Sequence, residues 1–165
     1  MKKLLIAVCF IVGLGFHAQA QSISEHALGL RFGGNNGYGA EVSYQNALGE
    51  NNRLEIDLGW RNDRHFDAFK LTGLYQWVWN IEGGFNWYVG LGGGVGSVDY
   101  DNRYRNDDDF DDDNEFFVFG AGNIGIEYDF DIPLLIALDF RPEIGSGYYN
   151  NDLDFDIALA LRYQF

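Results

Sequence analysis

Cysteine is all but missing: the 165-residue chain has one, Cys9, inside an apolar stretch near its start. Beyond it there is no thiol for disulfides, thiolate nucleophiles or cysteine-bound metal. Lysine is nearly as scarce, with only Lys70 after Lys2 and Lys3. Setting those first two aside leaves nine bases against 25 carboxylates, a formal charge of −16. Such a surface repels phosphates, so no nucleic-acid partner is expected. Long apolar runs are missing as well. The longest, "LLIAVCFIVGLGF", is shorter than the about 20 residues of a membrane-spanning helix. No segment shows the 3.6-residue apolar period of an amphipathic helix. Aromatic residues, by contrast, make up 17% of the chain, far too many for a disordered acidic polymer. Something folds, and its length suits one domain.

The first twenty residues read as an export signal. Lys2 and Lys3 open it, the apolar run follows, and "AQA" at Ala18–Ala20 supplies a small-residue cleavage site. Cleavage after Ala20 leaves 21–165 as a single domain. Cys9 does not suit a lipid-bearing cysteine, because bulky Val8 precedes it and apolar sequence continues to Phe16.

The period that recurs is two. "RLEIDLGWR" is the cleanest case: Leu54, Ile56, Leu58 and Trp60 alternate with Glu55, Asp57, Gly59 and Arg61. The same alternation marks "ALGLRFG", "YGAEVSYQ", "AFKLTGLYQW", "FNWYVGLGGGVG", "LLIALDFRPEI" and "FDIALALRYQF", and less regularly "FFVFGAGNIGIEY". Successive strand side chains point to opposite faces, so these are eight strands with one apolar face each. Short connections fall at "NALGENN", "NIEGG" and "DFDIP", longer ones between them, including "DYDNRYRNDDDFDDDNE". The expected fold is all-β: an eight-stranded antiparallel up-and-down barrel.

Three features turn its apolar face outward, making it a transmembrane barrel rather than a lipocalin-like carrier. The polar face mixes both charge signs with glycine and alanine, which suits the cramped inside of eight strands. Aromatics gather at strand ends. Tyr44, Tyr75, Trp77, Phe85, Trp87, Tyr128, Tyr163 and Phe165 lie towards the short turns, and Tyr38, Trp60, Phe69 and Phe155 towards the long loops. Two such girdles match two lipid interfaces. Strands of roughly ten residues tilted about 45° reach ~23 Å, close to the apolar thickness of an outer membrane.

These residues resemble the small eight-stranded outer-membrane barrels of the OmpA transmembrane domain, OmpX and Opa type, over 23–165, with the glycine-rich acidic character of Bacteroidetes-like members. The resemblance implies that Leu161, Tyr163 and Phe165, with Ile157 and Leu159 upstream, form a C-terminal insertion signal read by the outer-membrane assembly machinery. It also implies a monomer in outer-membrane lipid and lipopolysaccharide. The N terminus and short turns would face the periplasm, and the long loops the outside. No peptidoglycan-binding module follows Phe165, so a cell-wall tether is not expected.

Inside the barrel, Glu55, Asp57, Arg61, Lys70, Asp139, Arg141 and Arg162 are expected to pair into a structural network, because an unpaired buried charge is expensive. The loop 99–115 holds nine carboxylates, among them Asp107, Asp108, Asp109, Asp111, Asp112 and Asp113. One reading is a solvated, self-repelling segment. The other is weak calcium binding that bridges the loop to lipopolysaccharide, since hard cations take several oxygen ligands. The spacing is not that of an EF-hand. No other cofactor is expected. "GLGGGVG" has neither the lysine nor the helix of a phosphate loop, and its glycines would make room for long inward side chains. His65 stands beside Asp63 and Asp67 with no nearby serine, so no catalytic residues are assigned and no enzyme activity is expected. A surface or structural role follows, with a narrow ion pore or a lipid A-modifying enzyme as the rival readings.

Overall fold

The computed structural model describes residues 23–33, 39–62, 66–100, 114–146 and 153–165. The expected signal, 1–20, lies outside them. Eight strands follow in order: β1 His26–Gly33, β2 Ala40–Ala47, β3 Asn52–Asn62, β4 Phe66–Glu82, β5 Phe85–Tyr100, β6 Asn114–Asp129, β7 Leu134–Ser146 and β8 Leu153–Gln164. Each pairs antiparallel with the next, and β1 closes on β8, with Leu28 opposite both Tyr44 and Tyr163. Closure leaves no edge strand, since each of the eight is paired on both sides.

The three short turns and both described ends of the chain share one end of the barrel. At the tightest, Gly83 takes φ +55°, a left-handed conformation that glycine adopts without a Cβ penalty. The Asn80 side chain donates to the Gly83 carbonyl at 2.9 Å and fixes the turn. Strands β4, β5 and β6 run 16–17 residues, longer than the roughly ten read from the pattern. The reason is that glycine-rich and irregular stretches there continue the ladder towards the long loops, with Ser97 opposite Phe69 and Phe116.

The apolar face is outside. Leu91 is 62% exposed and Ile157 59%, whereas Arg31, Arg141 and Arg162 are at most 1% exposed. The core of this fold is therefore a column of polar side chains, with smaller apolar clusters above and below it.

Candidate functional site

The lumen is where the chemistry-bearing side chains meet. Strand alternation sends Arg31, Glu41, Glu55, Asp57, Asp139, Arg141, Asp156 and Arg162 inward at mid-height. Arg31 donates to Glu41 at 3.1 Å, Asp156 at 2.7 Å and Asp139 at 2.7 Å. Arg141 donates to the same Glu41 oxygen at 3.2 Å, to Glu55 at 3.3 Å, and to Asp57. Arg162 donates to Glu55 at 3.0 Å and to the Ser43 hydroxyl at 3.0 Å. Glu41 and Glu55 are thus shared links, and one chain of charge ties β1, β2, β3, β7 and β8 together across the barrel.

Two further struts lie above and below. Towards the short turns, Arg53 grips Glu127 with two bonds of 3.0 and 2.7 Å and donates to Gln76 at 2.6 Å. Its guanidinium lies 4.7 Å over the Tyr88 ring. Gln76 in turn donates to Asn123 at 2.9 Å. Towards the long loops, Lys70 on β4 reaches Glu143 on β7 at 2.7 Å, with its ammonium 4.9 Å over the Phe119 ring. Phe117 and Phe119 pack there with Ala68, Leu74, Val98 and Ala121. At the other mouth Ile23 packs on Val78, Tyr88, Ala137 and Ala160. The lumen is crossed at three levels.

Of the seven residues expected to form this network, Glu55, Asp57, Lys70, Asp139, Arg141 and Arg162 are brought inside and paired. Arg61 is opposite Ala68 in β3, and its side chain lies outside the described residues. Arg53 was not singled out, although the period that contains Glu55 and Asp57 also contains it. Tyr88, Phe117 and Phe119 were missed for another reason: an aromatic in this sequence reads as a girdle residue. The signal lies on the neighbouring strands. Gly94 and Gly96 are opposite Phe119 and Phe117, and a Cβ at either would strike the ring. A Cβ on Gly125 would come within 2.5 Å of the Tyr88 hydroxyl. Gly90 makes room in the same way for Gln76.

The other candidates are separate. Asp107, Asp108, Asp109, Asp111, Asp112 and Asp113 lie outside the described residues, as do Asp63 and His65. Among the described residues no group of acids, histidines or cysteines could hold a metal ion. His26 opens β1 at the short-turn end, bonded to Tyr44 at 2.9 Å and Asn46 at 3.0 Å, whereas Ser43 is buried in the lumen and bonded to Arg162. Tyr163 stacks on Phe165, whose carbonyl and amide both bond to His26 across the closing seam.

No protein-family model and no curated protein matches the sequence. Solved structures do. The N-terminal β-barrel domain of Pseudomonas aeruginosa OprF matches with a TM-score of 0.63 at 12% identity, covering 87% of this chain and all of that one. Neisserial surface protein A gives 0.58 at 11%, over 85% and 94%. Ail, the attachment invasion locus protein of Yersinia pestis, gives 0.55 at 14%, over 86% and 97%. At these identities the likeness is one of fold: this chain has the small eight-stranded barrel that those proteins share.

Proposed function

We propose that the protein is a non-enzymatic integral outer-membrane barrel with a structural or surface-interaction role. One observation carries the reading. Among the described residues, from the short-turn girdle up to Trp60, Phe69, Ser97, Phe116 and Leu153, no outward position holds Asp, Glu, Lys or Arg, whereas twelve such residues are buried inside. Water offers no reason for a protein to sort its charges that way round. Hydrocarbon does, since a charge on the lipid face costs several kcal/mol and an aromatic ring at either interface is favoured. The closed ladder also suits lipid, where an open edge is not tolerated.

In this reading the short turns and the N terminus face the periplasm, and the acidic loop is presented outside, next to lipopolysaccharide. Leu161, Tyr163 and Phe165 serve as the mark read by the assembly machinery, and the barrel works as a monomer. Loops on a rigid scaffold then carry the contacts with surfaces or partners. The acidic run Asp107–Asp113 is proposed to take up calcium weakly, as a bridge to anionic lipid. Calorimetry with millimolar calcium tests that part, and no heat of binding would end it.

Cell fractionation with gel electrophoresis of unboiled and boiled samples tests the whole. A band in the outer-membrane fraction that shifts on boiling is expected. A soluble periplasmic protein with no shift would overturn the reading in favour of a carrier.

A further inference from the structure

Asp57 on β3 stands in register with Thr72 on β4, and both side chains are luminal, 1% and 0% exposed. Each keeps one buried oxygen without a hydrogen-bond partner, Oδ1 of Asp57 and Oγ1 of Thr72. The other Asp57 oxygen is taken, since Oδ2 accepts from Arg141. Ser43, opposite Asp57 on the β2 side, is engaged too, because its hydroxyl accepts from Arg162. A buried polar atom left unmet is costly. Two such oxygens on directly opposed residues call for one occupant that serves both.

The surrounding charges decide what that occupant is. Glu127 is matched by Arg53, and Glu143 by Lys70. What remains buried at mid-height is Glu41 on β2, Glu55 and Asp57 on β3, Asp139 on β7 and Asp156 on β8. Against these five carboxylates stand three guanidinium groups, Arg31 on β1, Arg141 on β7 and Arg162 on β8. Counting Arg61, further along β3, as a fourth cation still leaves a surplus of one carboxylate. Strands β5 and β6 bring Gly94 and Phe119 into register with Thr72, and neither carries charge.

A metal ion does not suit the pair: among the described residues no group of acids could hold one, and Arg141 already lies against Asp57. An anion is repelled by the carboxylates. A bridging water would serve both oxygens but leave the surplus negative charge buried, which is expensive. A proton on Oδ1 does more. Its O–H is donated to the Thr72 oxygen, which serves both atoms, and it cancels one charge.

We infer that Asp57 and Thr72 form a proton-binding site in the folded barrel. Asp57 is held there as the neutral acid, with its O–H donated to the Thr72 hydroxyl and its carbonyl oxygen accepting from Arg141. Withdrawing the proton sets an ionised Asp57 in competition with Glu41 and Glu55 for Arg141, the residue that ties β7 to β2 and β3. The lumen thereby carries a lock that alkaline medium loosens.

The test is infrared spectroscopy of the full chain, folded in ester-free detergent micelles at neutral pH. A neutral carboxyl has a carbonyl stretch apart from that of carboxylates, and the band shifts in heavy water. Such a band is expected, and alkaline titration should erase it. Asp57→Asn matches the neutral acid in shape and charge, so it should remove the band and leave the urea unfolding midpoint unchanged. Thr72→Val takes away the acceptor and should move the band without abolishing it. Absence of the band at neutral pH would overturn the site, with water as its occupant. A band that survives Asp57→Asn would put the proton on another residue and overturn it as well. An Asp57→Asn chain that fails to fold, or unfolds at clearly lower urea, would show that Asp57 is needed as a charge, against the inference. A band indifferent to Thr72→Val would remove Thr72 from the site.

Discussion

Glu55 and Arg141 meet in the middle of the lumen, 3.3 Å apart, although they stand on β3 and β7 on different walls of the barrel. Glu55 holds Arg162 at 3.0 Å with its other oxygen and also accepts from Gln45, so one carboxylate fixes two guanidinium groups. Such a network adds less stability than its bonds suggest, because both partners gave up water to make it. Its members are hard to remove singly for the same reason.

Glu55→Ala should therefore destabilise the barrel by about 3–5 kcal/mol, the cost of leaving buried cations unpaired. Urea unfolding in detergent micelles, followed by tryptophan fluorescence, measures it. A loss below ~1 kcal/mol would mean that water reaches Arg141 and Arg162 freely.

The Arg53–Glu127 strut offers the complementary case, since here one guanidinium meets one carboxylate, with Gln76 as a further hydrogen-bond partner. Arg53→Met alone should cost about 3–5 kcal/mol, while Arg53→Met with Glu127→Leu should cost clearly less than the single change. The double-mutant cycle isolates the coupling. Additive losses would show that the two side chains act independently.

Gly125→Ala places a methyl against the Tyr88 ring and 2.8 Å from the Leu138 carbonyl. Overpacking of this kind costs about 1–3 kcal/mol. Tyr88→Leu in the same chain should recover only part of the loss, because the carbonyl contact remains. Full recovery would put the whole strain on the ring.

Much of this was legible before any coordinates. "RLEIDLGWR" alone gives a strand and its two faces, with Glu55, Asp57 and Gly59 on the luminal one, because period two leaves no freedom about which residues share a side. The partner of each luminal charge was not legible. Lys70 could have met any carboxylate at its height, and its choice of Glu143 depends on barrel diameter and stagger, which pairwise alternation does not encode. Phe117 and Phe119 failed for a related reason. A ring is welcome on either face here, and only the register against Gly94 and Gly96 decides.

The exposed apolar face has a graded test of the membrane reading. Ile124→Arg, near mid-depth on β6, should cost about 2–4 kcal/mol in vesicles, whereas Leu134→Arg, opposite Tyr163 in the girdle, should cost about 0–1 kcal/mol. Equal penalties in folding titrations would argue against a bilayer around this barrel.

The pairing of Leu28 with Tyr163 has a consequence in time rather than in space. The first strand emerges with only one of its two neighbours, and the other is more than a hundred residues behind it. Loop-closure entropy opposes so distant a contact until both strands are present. Every intermediate short of the eighth strand therefore carries two raw edges, and the ring becomes a ring only in its last step. Such a chain has to be kept from pairing with its neighbours for as long as it waits.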